Sequence, residues 1–251
     1  MYFDNCKRLV VFGDSLTYGH GLPDADNLKF EKPSSLSWAN TVAMNYGLEL
    51  YNKAIPGSGN DSMFRAFNEY LIGIFANDHH NATRRFSAVY KPGDAVIIGL
   101  SNLWRTEVYD FRHQRYERIL VNSEYFYDPD LEKSVRYIMA AESEDSLISK
   151  MLQQIHNIVS MCRHYNIPVL LFHALPPIDH KTNSDIINQT YIPPSCQSML
   201  KRTNCREWLT EVMHNEISLK LGRDHFLPCG HPSASGQDFW GKRLINYIED
   251  L

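Results

Sequence analysis

Nothing in these 251 residues approaches the roughly 18–20 consecutive apolar residues that a bilayer-crossing helix needs. The opening Met1-Tyr2-Phe3-Asp4-Asn5-Cys6 also lacks the basic-then-apolar order of a secretion signal. The expectation is a chain without membrane insertion, cytoplasmic as synthesised. A basic surplus is missing too. Lys+Arg 25 against Asp+Glu 29 leaves a formal net charge of −4 and no field to gather phosphates, which argues against a nucleic-acid partner. Cysteine is sparse: Cys6, Cys162, Cys196, Cys205 and Cys229 are odd in number and form no C-x-x-C pair, so a zinc ribbon or redox motif is disfavoured. Reduced thiols are expected, with a Cys196–Cys205 bridge left open for an oxidising compartment. The P-loop is absent, Gly57-Ser58-Gly59 continues into no third glycine of a dinucleotide fingerprint, and the G-x-S-x-G elbow is missing. His79-His80 and the set His173, Asp179 and His180 show no H-E-x-x-H spacing to make ligands converge, so neither metal nor cofactor is read from them.

What is present is an ordinary globular composition, 43% hydrophobic and 22% charged, in a chain long enough to bury one substantial core. Short runs rich in Val, Ile and Leu recur between helical patterns, which predicts parallel strands joined by crossover helices. Arg8-Leu9-Val10-Val11-Phe12 is continuously apolar after its first residue, as a strand covered on both faces must be. Further strands are predicted at Leu48–Tyr51, Ala95–Leu100 and Val169–Phe172, with a short fifth at His225–Leu227. Leu147, Ile148, Met151, Leu152, Ile155, Ile158, Val159 and Cys162 fall at helical spacing. A second stripe, Trp208, Leu209, Val212, Met213 and Ile217, is read as a helix ending near Gly222, and a last helix runs from about Ser233 to the end. The expected fold is α/β: a three-layer α/β/α sandwich on a mostly parallel, flavodoxin-like five-stranded sheet. One domain spans 1–251, with insertions at about 104–140, dense in Tyr, Phe and Arg, and about 176–205, dense in Pro, Asn and Ser.

Phe12-Gly13-Asp14-Ser15-Leu16 leaves the first strand where open parallel sheets bind ligands, beyond the strands' carboxyl ends. A serine there serves as a helix cap or as a nucleophile. Near the other end, Cys229-Gly230-His231-Pro232-Ser233 sets a histidine just before the last helix. Imidazole is the side chain able to take a serine proton at neutral pH and return it to a leaving alcohol.

Together these segments resemble the SGNH hydrolases, also called GDSL esterases and lipases, over nearly the whole chain and in the family's order. The family's first block appears as Gly13-Asp14-Ser15-Leu16 and implies Ser15 as nucleophile. Asn52-Lys53-Ala54-Ile55-Pro56-Gly57-Ser58-Gly59-Asn60 resembles the second block, implying a backbone N–H donor at Gly57, with Gly59 as the fallback. Gly99-Leu100-Ser101-Asn102 resembles the third, implying an Asn102 amide in the oxyanion hole beside the Ser15 and Gly57 N–H groups, although Leu100 replaces the block's usual glycine. The last block, Asp-x-x-His-Pro in the family, reads Pro228-Cys229-Gly230-His231-Pro232, so the histidine is present and its aspartate is not.

Three readings of that loss stand: a backbone carbonyl near Pro228 orients the ring, Asp224 or Asp238 substitutes, or the chain is slow or inactive. A working Ser15–His231 dyad is favoured, and Asp14 reads as a structural residue of its turn. Trp104, Arg105 and His173 are the substrate-binding candidates, the first two because they lie two and three residues past Asn102, the third because it ends a strand. The expected activity is hydrolysis of short acyl esters, acetyl groups on a carbohydrate foremost, with a small-molecule or carbohydrate ester as partner. The alternatives are a non-catalytic carbohydrate-binding or structural member of the same fold, and an acyltransferase in which a sugar hydroxyl replaces water.

Overall fold

A computed structural model of the chain describes residues 2–73, 89–103, 105–110, 114–120, 133, 144–175 and 206–251. Five strands, β1 (Arg8–Phe12), β2 (Glu49–Asn52), β3 (Asp94–Leu100), β6 (Val169–His173) and β7 (Trp208–Val212), form one parallel sheet in the order β2-β1-β3-β6-β7. Taken in sequence, that order is 2-1-3-4-5, the flavodoxin-like winding. Strands β4 (Arg105–Asp110) and β5 (Arg115–Leu120) make a separate antiparallel hairpin at the start of the first expected insertion. Helices are α1 (Ser15–Tyr18), α2 (Trp38–Tyr46), α3 (Asn60–Ile72), α4 (Glu144–His164), α5 (Met213–Leu221) and α6 (Ala234–Glu249).

Successive strand residues point to opposite faces, and the sheet uses both. Val10 and Phe12 of β1 and Val96, Ile98 and Leu100 of β3 pack with Phe64 and Phe67 of α3 and Ile155 and Val159 of α4. Leu9, Val11, Ala95 and Ile97 pack instead with Trp38 and Val42 of α2, Ile217 of α5 and Trp240 and Leu244 of α6. This makes three layers, with β1 and β3 buried throughout.

Two sequence expectations need correction. The segment His225–Leu227 is not the fifth strand: Arg223–His225 forms a 3-10 turn, and Phe226 makes only an isolated bridge with Pro232. The fifth strand is Trp208–Val212, the first half of the stripe read as a helix. Trp208 faces the α3/α4 layer and Leu209 the α2/α6 layer, so both faces demand apolar residues and the short run fits a period of two as well as 3.6. The pairing of β7 with β6 slips between Phe172 and His173, and the helix starts only at Met213. Among the described residues no helix is long and apolar enough to cross a membrane.

Candidate active site

In this winding the chain leaves β1 and β3 in opposite directions, and the crevice between them opens at their carboxyl ends. Asp14, extended at φ −101°, caps the single turn α1 by accepting the Leu16 N–H at 2.9 Å, which fixes Ser15 as its first residue. The Asp14 carboxylate is wholly buried and gathers the neighbouring strand end: Ser101 Oγ donates to it at 2.9 Å and the Arg105 guanidinium at 3.2 Å. Burial pushes its carboxyl above the usual range, against the charge of Arg105 and the donated hydrogen bonds. A buried carboxylate with that many donors belongs to the scaffold of the turn.

The second loop is stitched to the same turn. The Ile55 N–H donates to the Gly13 carbonyl at 3.0 Å, and Asn52 Nδ2 to the Thr17 carbonyl at 3.0 Å. Gly57 lies at φ +80°, a left-handed conformation, with open space where a Cβ would stand. Gly59 differs: its Cβ would fall 2.0 Å from the Arg105 carbonyl oxygen, so it is glycine because β4 passes against the start of α3. Asn60 then grips the end of β3 with both ends of its amide, Nδ2 donating to the Ser101 carbonyl at 3.1 Å and Oδ1 accepting the Ser101 N–H at 2.8 Å. That clamp sets the height of the half-buried Asn102, whose own carbonyl accepts the Arg105 N–H at 3.2 Å.

The two ends of the chain meet through Gln237. This buried residue in the first turn of α6 donates to the Leu16 carbonyl at 2.9 Å and accepts the Trp38 N–H at 3.0 Å. Just before α6, the Leu227 N–H bonds the His231 carbonyl at 2.7 Å and the Ser233 N–H bonds the His225 carbonyl at 2.8 Å, closing a tight loop that carries His231. The His231 ring lies 5.0 Å from the ring of His20, and the His20 amide donates to the Ser15 carbonyl at 2.9 Å. The Ser15 turn and the loop that carries His231 are thereby brought together beyond the carboxyl end of β1. Among the described residues no direct hydrogen bond joins the two side chains, and His231 Nδ1 is buried without a partner.

Burial is the main cause that lowers the His231 pKa to about 4, with the charges of His20, Arg105 and His214 adding to it and the Cys229 carbonyl opposing. Neither proposed acid reaches the ring. Asp238 pairs with Lys242 at 2.7 Å one turn along α6, and Asp224 is exposed on the 3-10 turn. Pro228 is exposed as well. His173 sits at the end of β6, 1% exposed, its ring 5.4 Å from that of Trp208 and its Nδ1 without a partner among the described residues. It is enclosed by the α3/α4 layer, and burial lowers its pKa to about 4. Arg105 is half-buried beside Asp14. Trp104, His79, His80, Asp179, His180, Cys196 and Cys205 lie outside the described residues. Among the described residues no three His, Cys, Asp or Glu side chains converge as metal ligands would. Sequence reasoning assigned no role to Asn52, Asn60, Gln237 or His20; Asn52 and Asn60 bracket the second block, which is the one signal that pointed toward them.

No family model and no curated protein matches the sequence. Solved structures do. A carbohydrate esterase whose active site displays divergent catalytic and non-catalytic binding functions superposes with a TM-score of 0.52 at 16% identity, over 98% of this chain and 65% of that one. The acetyl xylan esterase Est2A from Butyrivibrio proteoclasticus superposes with 0.52 at 13% identity, over 97% and 64%. A G-D-S-L family protein from Desulfitobacterium hafniense gives 0.51 at 14%, over 96% and 99%. This is the SGNH-hydrolase fold. The chain spans just under two thirds of each of the two carbohydrate esterases and nearly all of the G-D-S-L protein. Within the SGNH fold, the Ser15 turn follows β1 and Asn102 follows β3 at the switch point of the winding, and the Gly57 and His231 loops are tied to the Ser15 turn by the Ile55–Gly13 and Gln237–Leu16 hydrogen bonds.

Proposed function

We propose that the chain is a serine ester hydrolase that removes short acyl groups, acetyl groups on a carbohydrate foremost. One observation carries the reading: the Ser15 turn and the His231 loop, 216 residues apart, are tied together by the Gln237 bridge and the His20–His231 contact. Ser15 Oγ attacks the ester carbonyl carbon, and His231 Nε2 takes the hydroxyl proton. The carbonyl oxygen, now negative, is met by the N–H groups of Ser15 and Gly57 and the Asn102 amide. Collapse of the tetrahedral species breaks the carbonyl–alcohol bond, and His231 returns its proton to the departing alkoxide. Water then repeats the sequence on the acyl-serine and releases the acid. The ring closes on the hydroxyl as the ester fills the crevice, a tightening common to such pairs.

The acetyl and carbohydrate choice is supported by the names of the superposing esterases, one an acetyl xylan esterase, and by the aromatic and arginine residues that follow Asn102. Hydrolysis of p-nitrophenyl acetate and of acetylated xylo-oligosaccharides tests the reading. Turnover lost in Ser15→Ala and His231→Ala supports it, and equal rates in the variants refute it. An added sugar acceptor that diverts the acyl group would reassign the chain as a transferase.

A second reading is favoured by Pro228 at the acid position and by the unpartnered His231 Nδ1: a carbohydrate-binding member without turnover. Saturable sugar binding in a protein whose Ser15 never acylates would support that reading over the first.

A further inference from the structure

We propose that His20 is a positioning residue that holds the His231 ring in the tautomer needed for proton transfer, at a place where the described residues supply no carboxylate. The proposal rests on the Ser15–His231 reading above. The task it describes is specific. To accept the serine proton on Nε2, a neutral His231 must carry its own proton on Nδ1, and that N–H needs an acceptor.

His20 is built into the nucleophile's turn, its amide bonded to the Ser15 carbonyl at 2.9 Å. Its ring meets that of His231 edge-on, at 5.0 Å between centroids and 64° between planes. Phe30 lies against His20, 5.8 Å between centroids. Nδ1 of His20 and Nδ1 of His231 are both buried and both without a partner among the described residues. A buried polar atom left unpaired is costly, and here two such atoms sit on adjacent rings. A neutral imidazole offers one donor and one acceptor, so the two are complementary: N–H on His231 Nδ1, a lone pair on His20 Nδ1. Ring nitrogens stand at the ring's edge, so a small rotation of either ring brings the two Nδ1 atoms toward each other.

The rivals for the role are otherwise engaged. Asp238 is paired with Lys242, Asp224 is exposed, and the Cys229 carbonyl, though it favours the charged ring, completes no hydrogen bond to Nδ1. Of the other described groups that act on His231, Arg105 is a guanidinium with no lone pair to accept a proton bond, and the His214 ring lies against that of Phe226, 4.7 Å between centroids. Burial holds the His20 pKa below its usual value, so near pH 7 its ring is neutral and has a lone pair to give. During turnover the serine proton moves to His231 Nε2 and back, the Nδ1 proton stays on His231, and His20 gains no net proton.

The test compares the full-length wild type with His20→Asn, whose amide oxygen replaces the ring acceptor, and His20→Phe, which keeps the ring shape without one. Long-range nitrogen–proton correlation spectra near pH 7 read the His231 tautomer without substrate, and p-nitrophenyl acetate reads kcat and KM. The expected result is an Nδ1–H tautomer in wild type and His20→Asn and an Nε2–H tautomer in His20→Phe. The kcat of His20→Phe should fall about tenfold to a hundredfold, short of the roughly 10⁴-fold loss seen when a full triad adopts the wrong tautomer, with KM kept and kcat recovered in His20→Asn. One tautomer in all three proteins would overturn the proposal and leave the Cys229 carbonyl as the orienting group. A wild-type His231 protonated on Nε2 overturns it with no variant needed. Failure of the hydrolase reading appears separately, as a wild type without turnover whose tautomers are still measured.

Discussion

A methyl group added at Gly59 and at Gly57 should damage different properties of the protein. The Gly59 Cβ would stand 2.0 Å from the Arg105 carbonyl oxygen and 2.5 Å from its carbon, backbone atoms that cannot swing aside. Strand β4 must therefore retreat from the start of α3. That retreat strains the Thr106–Asp61 hydrogen bond at 2.8 Å, the Arg65–Glu107 pair at 2.8 Å and the Arg105–Asp14 contact at 3.2 Å. Overpacking of this kind costs about 1–3 kcal/mol, and each hydrogen bond lost adds about 1 kcal/mol. A total of about 2–4 kcal/mol lowers Tm by roughly 5–15 °C in a chain of this size. At Gly57 no described atom lies within 4 Å of the added Cβ, and φ +80° costs about 1–2 kcal/mol for a residue with a Cβ. Relief of that strain turns the Gly57 N–H away from the crevice, and an oxyanion donor so displaced costs about 2.7–4 kcal/mol of transition-state stabilisation, or roughly 10²–10³ in kcat. Thermal melts and steady-state hydrolysis of p-nitrophenyl acetate, run on both alanine variants, separate the effects. A Gly59→Ala protein that melts with the wild type would refute the close approach of β4. A Gly57→Ala protein with full kcat would remove its N–H from the oxyanion hole.

Two further expectations concern pH. His231 acts as a base only when neutral, and its pKa is lowered to about 4, so kcat/KM should rise with pH through about 4 and stay level from about 5 to 8; an acid limb near 6.5 would contradict the buried, cation-flanked setting. His173 is neutral in the folded chain, its pKa lowered from 6.5 to about 4 by burial. The unfolded chain therefore binds the extra proton first, so the contribution is intact above about pH 6.5 and is lost as pH falls toward 4, about 3 kcal/mol in all. Urea denaturation across that window should show a shallower pH dependence in His173→Leu than in wild type, and parallel curves would count against the enclosure of the ring.

How much of this was legible in the sequence depends on the range of the forces involved. Strands β1 and β3 are buried on both faces, and their unbroken apolar runs announce it. Helices α4 and α6 carry stripes long enough to fix the period, and Ser233 caps α6 as its position suggests. Trp208–Val212 is too short to separate strand from helix, because only its place at the sheet edge beside β6 decides. The 3-10 turn at Arg223–His225 reflects the closure of the His231 loop rather than any local apolar pattern. Ser15 and His231 stood out by residue type at a strand end and a helix start. Asn60, Gln237 and His20 did not, since each takes its role from a partner 41, 221 or 211 residues away, and spacing along the chain carries no trace of such pairings.

Reaction with a fluorophosphonate, followed by mass spectrometry of the peptides, asks whether the Ser15 hydroxyl is activated by His231. A single covalent adduct on Ser15, greatly slowed in His231→Ala, is the expected result. Intact Ser15 after prolonged exposure of the folded wild type, or labelling that ignores the His231 substitution, would contradict it.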